Sequence, residues 1–154
     1  MLRSFLIGLV AGQRGMTPLA VVATATHREE ISADLPLQKL MLSAVIAAGT
    51  VALAAAEMAG DKMKTAPDRT VPVGLAVRSI TAAYAGAALA PRDKRVLGAA
   101  IAVGTALASS YVGLAARKWA MRRHGQTATG FVEDAIVLGS GMAIASPSLV
   151  TAKG

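Results

Sequence analysis

The sequence predicts an all-α integral membrane protein with about five transmembrane segments. Of the 154 residues, 54% are hydrophobic and 16% are charged, which is too apolar for the surface of an ordinary soluble domain of this length. Stretches without any charged residue span Leu40 to Ala56, Val96 to Ala116 and Ala135 to Ala152. Each is close to the ~17–25 residues that cross a bilayer. Two more segments, Ser4 to Thr26 and Thr70 to Pro91, contain one arginine each.

Two other interpretations of these segments stay open at this level. A soluble, alanine-rich bundle is one, because alanine is only weakly favourable in lipid. Against it, the stretch from Val96 to Ala116 has no polar face to present to water. A cleavable signal peptide is the other, because Arg3 precedes an apolar run and Ala23 to Ala25 resembles a cleavage site. Arg14 interrupts that apolar run, so we expect the first segment to be retained.

The first four segments are predicted to form a duplicated two-segment unit. RGMTP from Arg14 matches RSITA from Arg78, and AVIAAGT from Ala44 matches AAIAVGT from Ala99. We expect a single membrane domain over 1–154, with repeat 1 at about 4–58, a connection at 59–72, repeat 2 at about 73–120 and a fifth segment at about 131–151. Chance similarity between Ala/Gly-rich helices is the alternative. The two halves have the same orientation in the membrane if both arginine-bearing segments cross it. They are inverted if both segments are re-entrant, so that each enters and leaves the membrane on the same side.

The net charge of +7 indicates membrane topology rather than nucleic-acid binding, because no basic helix interleaved with aromatic residues is present. The densest basic cluster, Arg117, Lys118, Arg122 and Arg123 around Trp119, follows the fourth segment. Such a cluster is typical of a cytoplasmic end with an interfacial aromatic anchor. If successive segments cross the membrane in alternating directions, more Lys and Arg residues lie on the side of the N-terminus than on the opposite side. We therefore expect a cytoplasmic N-terminus and a C-terminus on the opposite side.

The first segment is predicted to break between Gly12 and Pro18. A proline in a helix removes the hydrogen bond to the carbonyl four residues earlier, which here is that of Arg14. Gly12 and Gly15 on either side favour the same break. Irregular backbone is tolerated at membrane depth only where it is buried in protein or lines a cavity. In the second half Ala82 stands in place of Pro18, so we expect that segment to continue unbroken.

Arg14 and Arg78 are expected to form a polar site shared by the two halves. An arginine near the membrane centre costs about 2.5–3.5 kcal/mol on insertion scales, so two of them indicate buried partners. We expect Glu57 to be their main charge partner. The candidate ligand or ion-pair site consists of Arg14, Arg78, Glu57, Gln13, Thr17, Thr81, Glu133 and Asp134. In the alternative, the arginines pair with Glu57 or Glu133, or extend to an interface, and only fix the helix register.

The sequence offers no support for catalysis or for a cofactor. There is no cysteine, which excludes disulfides, thiolate metal sites and a cysteine nucleophile. His27 and His124 lack the spacing of metal ligands, and no Ser/His/Asp grouping can be defined. We therefore expect no metal, no cofactor and no enzyme activity.

Four stretches resemble a bacterial family of small polytopic inner-membrane proteins that is catalogued as a domain of unknown function. They are GLVAGQRGMTPLA from Gly8, AAAEMAGDKM from Ala54, KTAPDRT from Lys64 and RSITAAYAGAAL from Arg78. The resemblance implies an all-helical, multi-pass protein of the bacterial inner membrane. It implies no reaction, ligand or site residue.

A small transporter-like or channel-like module is the function that these patterns favour, with the polar site around the two arginines holding a small anion. A structural or accessory subunit, packed against copies of itself or a larger membrane complex, is the main alternative. A lipid binder whose arginines hold anionic head groups is the third. The expected partners are the lipid bilayer, a second copy or a larger complex, and a small anionic ligand or head group.

Overall fold

The computed structural model describes residues 1–31, 35–60, 71–124 and 126–146, except for the side chains of residues 124 and 126–129. Every regular element in these residues is helical: α1 Leu2–Gln13, α2 Thr17–His27, α3 Gln38–Met41, α4 Ala44–Gly60, α5 Pro72–Ala88, a 3-10 turn Arg92–Lys94, α6 Arg95–His124 and α7 Gln126–Ala145. The all-α class is therefore confirmed. Most of the predicted connection at 59–72, and the part of the fifth segment after residue 146, lie outside the described residues.

α1 packs along α6, and the two helices run in the same direction. A Cβ atom added at Gly8 would lie 2.5 Å from the carbonyl oxygen of Ala102, and one added at Gly12 would overlap the side chain of Ser109. Real Cβ atoms do not approach so closely, so both positions require glycine. The small-residue face predicted for the first segment thus brings two backbones together, as it does between helices in lipid.

α5 and α6 are antiparallel and approach equally closely. A Cβ atom at Gly86 would lie 2.6 Å from the carbonyl oxygen of Gly98, and one at Gly98 would lie 2.6 Å from that of Gly86. The Ser4 hydroxyl of α1 donates to the Gly86 carbonyl at 3.0 Å. α1, α5 and α6 therefore form the tightly packed part of the bundle, with small residues at every crossing.

α7 runs antiparallel to α1. Arg3 Nε donates to the Ile144 carbonyl at 2.6 Å, and Arg14 Nε donates to Asp134 Oδ1 at 3.0 Å. The start of α1 and the end of α7 therefore lie at one end of the bundle, which we call the N-terminal end. The distribution of basic residues predicts the two termini on opposite sides of the membrane. The described end of α7 instead lies at the same end of the bundle as the N-terminus.

α2 turns back after α1 and forms a helical hairpin with it. A Cβ atom at Gly141 would lie 3.0 Å from Val21 Cγ2 and 3.7 Å from Thr17 Cγ2. Gly141 lies on α7 between Asp134, which contacts the end of α1, and Ile144, which contacts its start. Because α2 packs against this part of α7, the chain after the break heads toward the N-terminal end again. We call residues 14–16 the hairpin tip.

The hairpin tip lies in the interior of the bundle. Gln13 Nε2, just before it, donates to the carbonyl of Ser109 near the middle of α6, at 3.0 Å. At the other end of α2, His27 Nδ1 lies 2.7 Å from the Leu42 carbonyl oxygen, so α4 begins where α2 ends and runs antiparallel to it. α1 and α2 thus enter the bundle from the N-terminal end and return to it.

This hairpin changes the predicted topology. Since α1 and α6 run in the same direction, the N-terminus and the basic cluster at the end of α6 lie at opposite ends of the bundle. The sequence-based prediction places both on the cytoplasmic side, which differs from this arrangement. The physical reason is the returning hairpin, which adds a change of direction that a spanning first segment would not make.

The two arginine-bearing segments follow different backbone paths. Arg14 ends α1 in an extended conformation, with φ −139° and ψ 116°. Arg78 lies inside α5, which continues without a break through Ala82. The duplication therefore stays a prediction from the sequence.

Several large apolar side chains are exposed, while some charged side chains are buried inside the bundle. Large apolar side chains on four different helices face outward: Val45 is 77% exposed, Ile80 70%, Val112 70% and Ile136 62%. Arg14 is 1% exposed. In the described part of the chain, one helical stretch, Arg92–Arg123, is by itself long and apolar enough to cross a membrane.

Candidate functional site: a charged centre at the hairpin tip

The break between α1 and α2 follows from local sequence chemistry. α1 ends at Gln13 and α2 begins at Thr17, within the range from Gly12 to Pro18 that the sequence indicates. Pro18 lies in the first turn of α2, where a helix has no intrahelical partner for the missing N–H group. The break leaves backbone N–H groups at the start of α2 that need acceptors.

Glu57 from α4 supplies these acceptors. The Gly15 N–H donates to its Oε1 and the Met16 N–H to its Oε2, each at 2.8 Å. A helix N-terminus carries partial positive charge and favours an anion. The carboxylate therefore holds the hairpin tip by two charge-assisted hydrogen bonds from backbone groups, a role that the sequence analysis does not assign to it.

Arg78 and Thr81 of α5 complete this side of the tip. Arg78 Nη2 lies 3.9 Å from Glu57 Oε1, so the expected pairing with Glu57 is present as a long ion pair. The Thr81 hydroxyl donates to the Gly15 carbonyl at 2.6 Å. Gly15 itself packs against the Arg78 side chain, with Cγ 3.3 Å from the position that a Cβ would occupy.

Arg14 turns to the opposite side of the tip, toward α7. Its Nε donates to Asp134 Oδ1 at 3.0 Å, and its Nη2 contacts the same oxygen at 2.5 Å. Arg14 is 1% exposed and Asp134 7%, so both charges are almost fully removed from solvent. Asp134 belongs to the candidate site, although Glu57 was expected to be the main partner.

The remaining candidate residues are Gln13 and Thr17, which flank the tip, and Glu133. Gln13 donates to the Ser109 carbonyl of α6, which fastens α1 to α6. Glu133 Oε2 lies 3.9 Å from Arg117 Nη1 near the far end of α6. The Thr17 hydroxyl is buried and has no hydrogen-bond partner among the described residues. The structure therefore brings together Arg14, Arg78, Glu57, Thr81 and Asp134 around the tip.

A cavity of about 320 Å³ lies between α2, α4 and α7. Its lining extends from Arg28, at the open end of the hairpin, to Thr17 and Met58 beside the tip. The wall is mainly apolar, with Thr24 adding a hydroxyl part of the way along. The cavity thus connects the N-terminal end of the bundle with the start of α2, next to the charged centre.

Sequence reasoning did not single out Ser109 and Ser110, which join α6 to the hairpin. The Ser109 hydroxyl donates to the Leu9 carbonyl at 3.1 Å, and the Ser110 hydroxyl donates to the Gly12 carbonyl at 3.2 Å. Two adjacent serines inside a charge-free segment are the signal that could have indicated a helix contact.

The charged centre links four helices through two opposite-charge pairs. Two guanidinium groups and two carboxylates compensate one another, which limits the cost of burying each charge. The acceptor position at the start of α2 suits a carboxylate or another small anion, and Glu57 fills it. In the described residues, no group of three or more His, Cys, Asp or Glu side chains is placed to hold a metal ion.

The chain matches no family model, no curated protein and no solved structure. The similarity to small polytopic inner-membrane proteins therefore stays a prediction from the quoted motifs.

Proposed function

We propose that the chain is a multi-pass membrane protein in which α4, α5, α6 and α7 span the bilayer and α1 with α2 forms a re-entrant hairpin. Outward-facing apolar side chains around inward-facing charges support this placement, because lipid solvates the former and not the latter. α4 and α5 have 17 residues and α7 has 20, which agrees with the shortest to average spans. This replaces the five spans of the sequence-based prediction.

We further propose a transporter-like or channel-like function centred on the hairpin tip. The observation that carries this proposal is the tip itself: a broken helix ending inside the bundle, beside Arg78 and Glu57, where a cavity from the N-terminal end reaches Thr17. Discontinuous helices whose N-terminal ends meet an anion are a recurring way to build a solute site at membrane depth. Two arginines at this depth are costly if they serve only for packing.

The proposed solute is a small anion that competes with Glu57 for the amides of Gly15 and Met16. Glu57 is held by these two amides and only loosely by Arg78, at 3.9 Å. Its departure would leave two N–H donors facing the space next to the Arg78 side chain. The observed arrangement is then a closed state in which the protein's own carboxylate occupies the solute position.

Single cysteines can test whether water reaches the tip, because the chain has no native cysteine. Thr24→Cys and Thr17→Cys line the cavity and should react with a small water-soluble thiol reagent in membrane vesicles. Val22→Cys lies on the same helix but outside the cavity lining, so it should not react. Equal protection of Thr17→Cys and Val22→Cys would contradict a water-accessible path to the tip.

Flux measurements test the function directly. Proteoliposomes should take up one of three probes, chloride, acetate or phosphate, and Arg78→Gln should abolish that uptake while the protein still accumulates and folds. Arg92→Gln is the matched control, since Arg92 lies in the exposed 3-10 turn and its loss should leave uptake unchanged. Equal uptake with Arg78→Gln would contradict the proposed site.

An accessory-subunit function is the second candidate, and the helix surface favours it. Gly49 on α4 and Gly104 on α6 have no described atom within 4 Å of an added Cβ, so these helices offer small-residue faces to a neighbouring helix. In this case Gly49→Cys or Gly104→Cys should form disulfide-linked dimers in native membranes, and no anion flux should be found.

A further inference from the structure

A second and larger cavity lies on the other side of the hairpin, between α1, α6 and α7. It has a volume of about 700 Å³ and is open along one side. Leu9, Val112, Val132 and Ile136 contribute to an almost entirely apolar wall. We call it the α6 groove.

The α6 groove runs along the helix from Ser109 to Ala120, which at ~1.5 Å per residue is about 17 Å. Ser109 is near the middle of α6, and Ala120 is close to its C-terminal end. The groove therefore extends from the interior of the bundle to the end opposite the N-terminus. In the proposed membrane placement, this is the path of an acyl chain from the bilayer core to one surface.

The outer end of the groove is basic. Arg117 lines it, and Lys118, Arg122 and Arg123 follow within the last turns of α6. Glu133 Oε2 lies 3.9 Å from Arg117 Nη1. At 100° per residue Arg123 lies on the groove side of α6, whereas Lys118 and Arg122 lie on the opposite side. Among the described residues, two basic groups and one carboxylate on the groove side leave a net positive charge at its mouth.

An exposed aromatic residue is located at the same level. Trp119 is 52% exposed, and the Arg123 guanidinium lies over its ring, 4.6 Å from the centroid. Tryptophan prefers the head-group region of a bilayer, and basic side chains next to a membrane attract anionic lipids. The groove mouth thus combines the chemistry of an interface with positive charge.

We propose that the α6 groove binds one anionic phospholipid, with an acyl chain along the apolar wall and the phosphate beside Arg117 and Arg123. A soluble anion would use the basic mouth but none of the apolar wall, and a zwitterionic lipid would use the wall but gain little from the charge. The proposal rests on the proposed membrane placement and does not depend on transport.

Native mass spectrometry of the full chain in detergent micelles tests the assignment. Phosphatidylglycerol and phosphatidylcholine with the same acyl chains are added in parallel. We expect one phosphatidylglycerol to be retained with at least tenfold higher affinity than phosphatidylcholine. Glycerol phosphate, which lacks acyl chains, should not displace it at equal concentration.

Paired variants separate the contributions of charge and groove. Arg123→Gln should weaken phosphatidylglycerol binding about fivefold, because one basic group near an anionic lipid contributes about that factor. Arg92→Gln removes the same charge at the other end of α6 and should leave the affinity within about twofold. Ala116→Trp fills the groove from an exposed position and should weaken binding of both lipids at least tenfold.

Three results would overturn the lipid assignment: equal retention of the two lipids, an equal loss for the two charge-removal variants, or full binding by Ala116→Trp. Circular dichroism of each variant shows whether the helices are intact. Failure of the membrane placement is a different result, since the protein would then remain in the soluble fraction of cells without detergent. Failure of transport would appear only in the flux assay.

Discussion

Replacing Asp134 with leucine should destabilise the protein by about 3–5 kcal/mol, because the change leaves the Arg14 guanidinium buried without its carboxylate. Two nitrogen atoms of Arg14 contact Asp134 Oδ1, at 3.0 and 2.5 Å. A hydrogen bond between charged groups contributes about 1.5–3 kcal/mol, so two contacts give a loss of the same size. Arg14 is 1% exposed, which leaves no route for water to compensate.

The same reasoning makes a sharper prediction for the double variant. Arg14→Met alone leaves a buried carboxylate and should cost about as much as Asp134→Leu. Combining the two replaces the ion pair by apolar groups of similar volume, which is often neutral or stabilising. We therefore expect the double variant to lie within about 1 kcal/mol of the native protein, far from the sum of the two single losses.

Unfolding in mixed micelles, followed by helical circular dichroism during titration with a denaturing detergent, measures these free energies. Losses below about 1 kcal/mol for both single variants, or a double variant that equals their sum, would refute the buried pair. The flux assay adds a second result from the same proteins. A stable double variant that no longer moves the anion would show that the pair serves function as well as packing.

Two further predictions concern helix contacts, and each has a matched control. Gly12→Ala should lower the free energy of unfolding by about 1–3 kcal/mol, because the added methyl group overlaps α6. Gly49→Ala, with no described atom within 4 Å, should leave it unchanged or raise it by up to ~1 kcal/mol. Thr81→Val should cost about 1 kcal/mol through the lost hydrogen bond to the hairpin tip. Thr105→Val, whose hydroxyl donates to the Ile101 carbonyl of its own helix, should cost less than ~0.5 kcal/mol. Thermal unfolding in detergent measures all four, and equal shifts within either pair would contradict the assigned contact.

The helix break could be predicted from the sequence because its causes are local. Pro18 lacks an N–H group, and Gly12 and Gly15 weaken the same turn. The direction of the chain after the break could not be predicted. It depends on the packing of α2 against α4 and α7, which are distant in sequence.

Some of the residues that form the charged centre could be predicted from the sequence. A low-dielectric interior requires a partner for each buried arginine, and the sequence contains few acidic residues inside apolar segments. The choice among them depends on the order of the helices in the bundle. Asp134 contacts Arg14 because α7 packs beside α1, and Glu57 turns to the tip amides because α4 ends beside the start of α2.

By itself, the sequence determined the helical class, the apolar character of the segments, the burial of two arginines and the site of the break. These depend on composition and on backbone chemistry within a few residues. The tertiary structure alone decided that the broken segment returns, that the N-terminus and the α6 basic cluster lie at opposite ends, and which carboxylate meets each guanidinium. These depend on the packing of helices against one another, where backbones meet at glycines such as Gly8 and Gly12 and the remaining side chains must find partners at fixed distances.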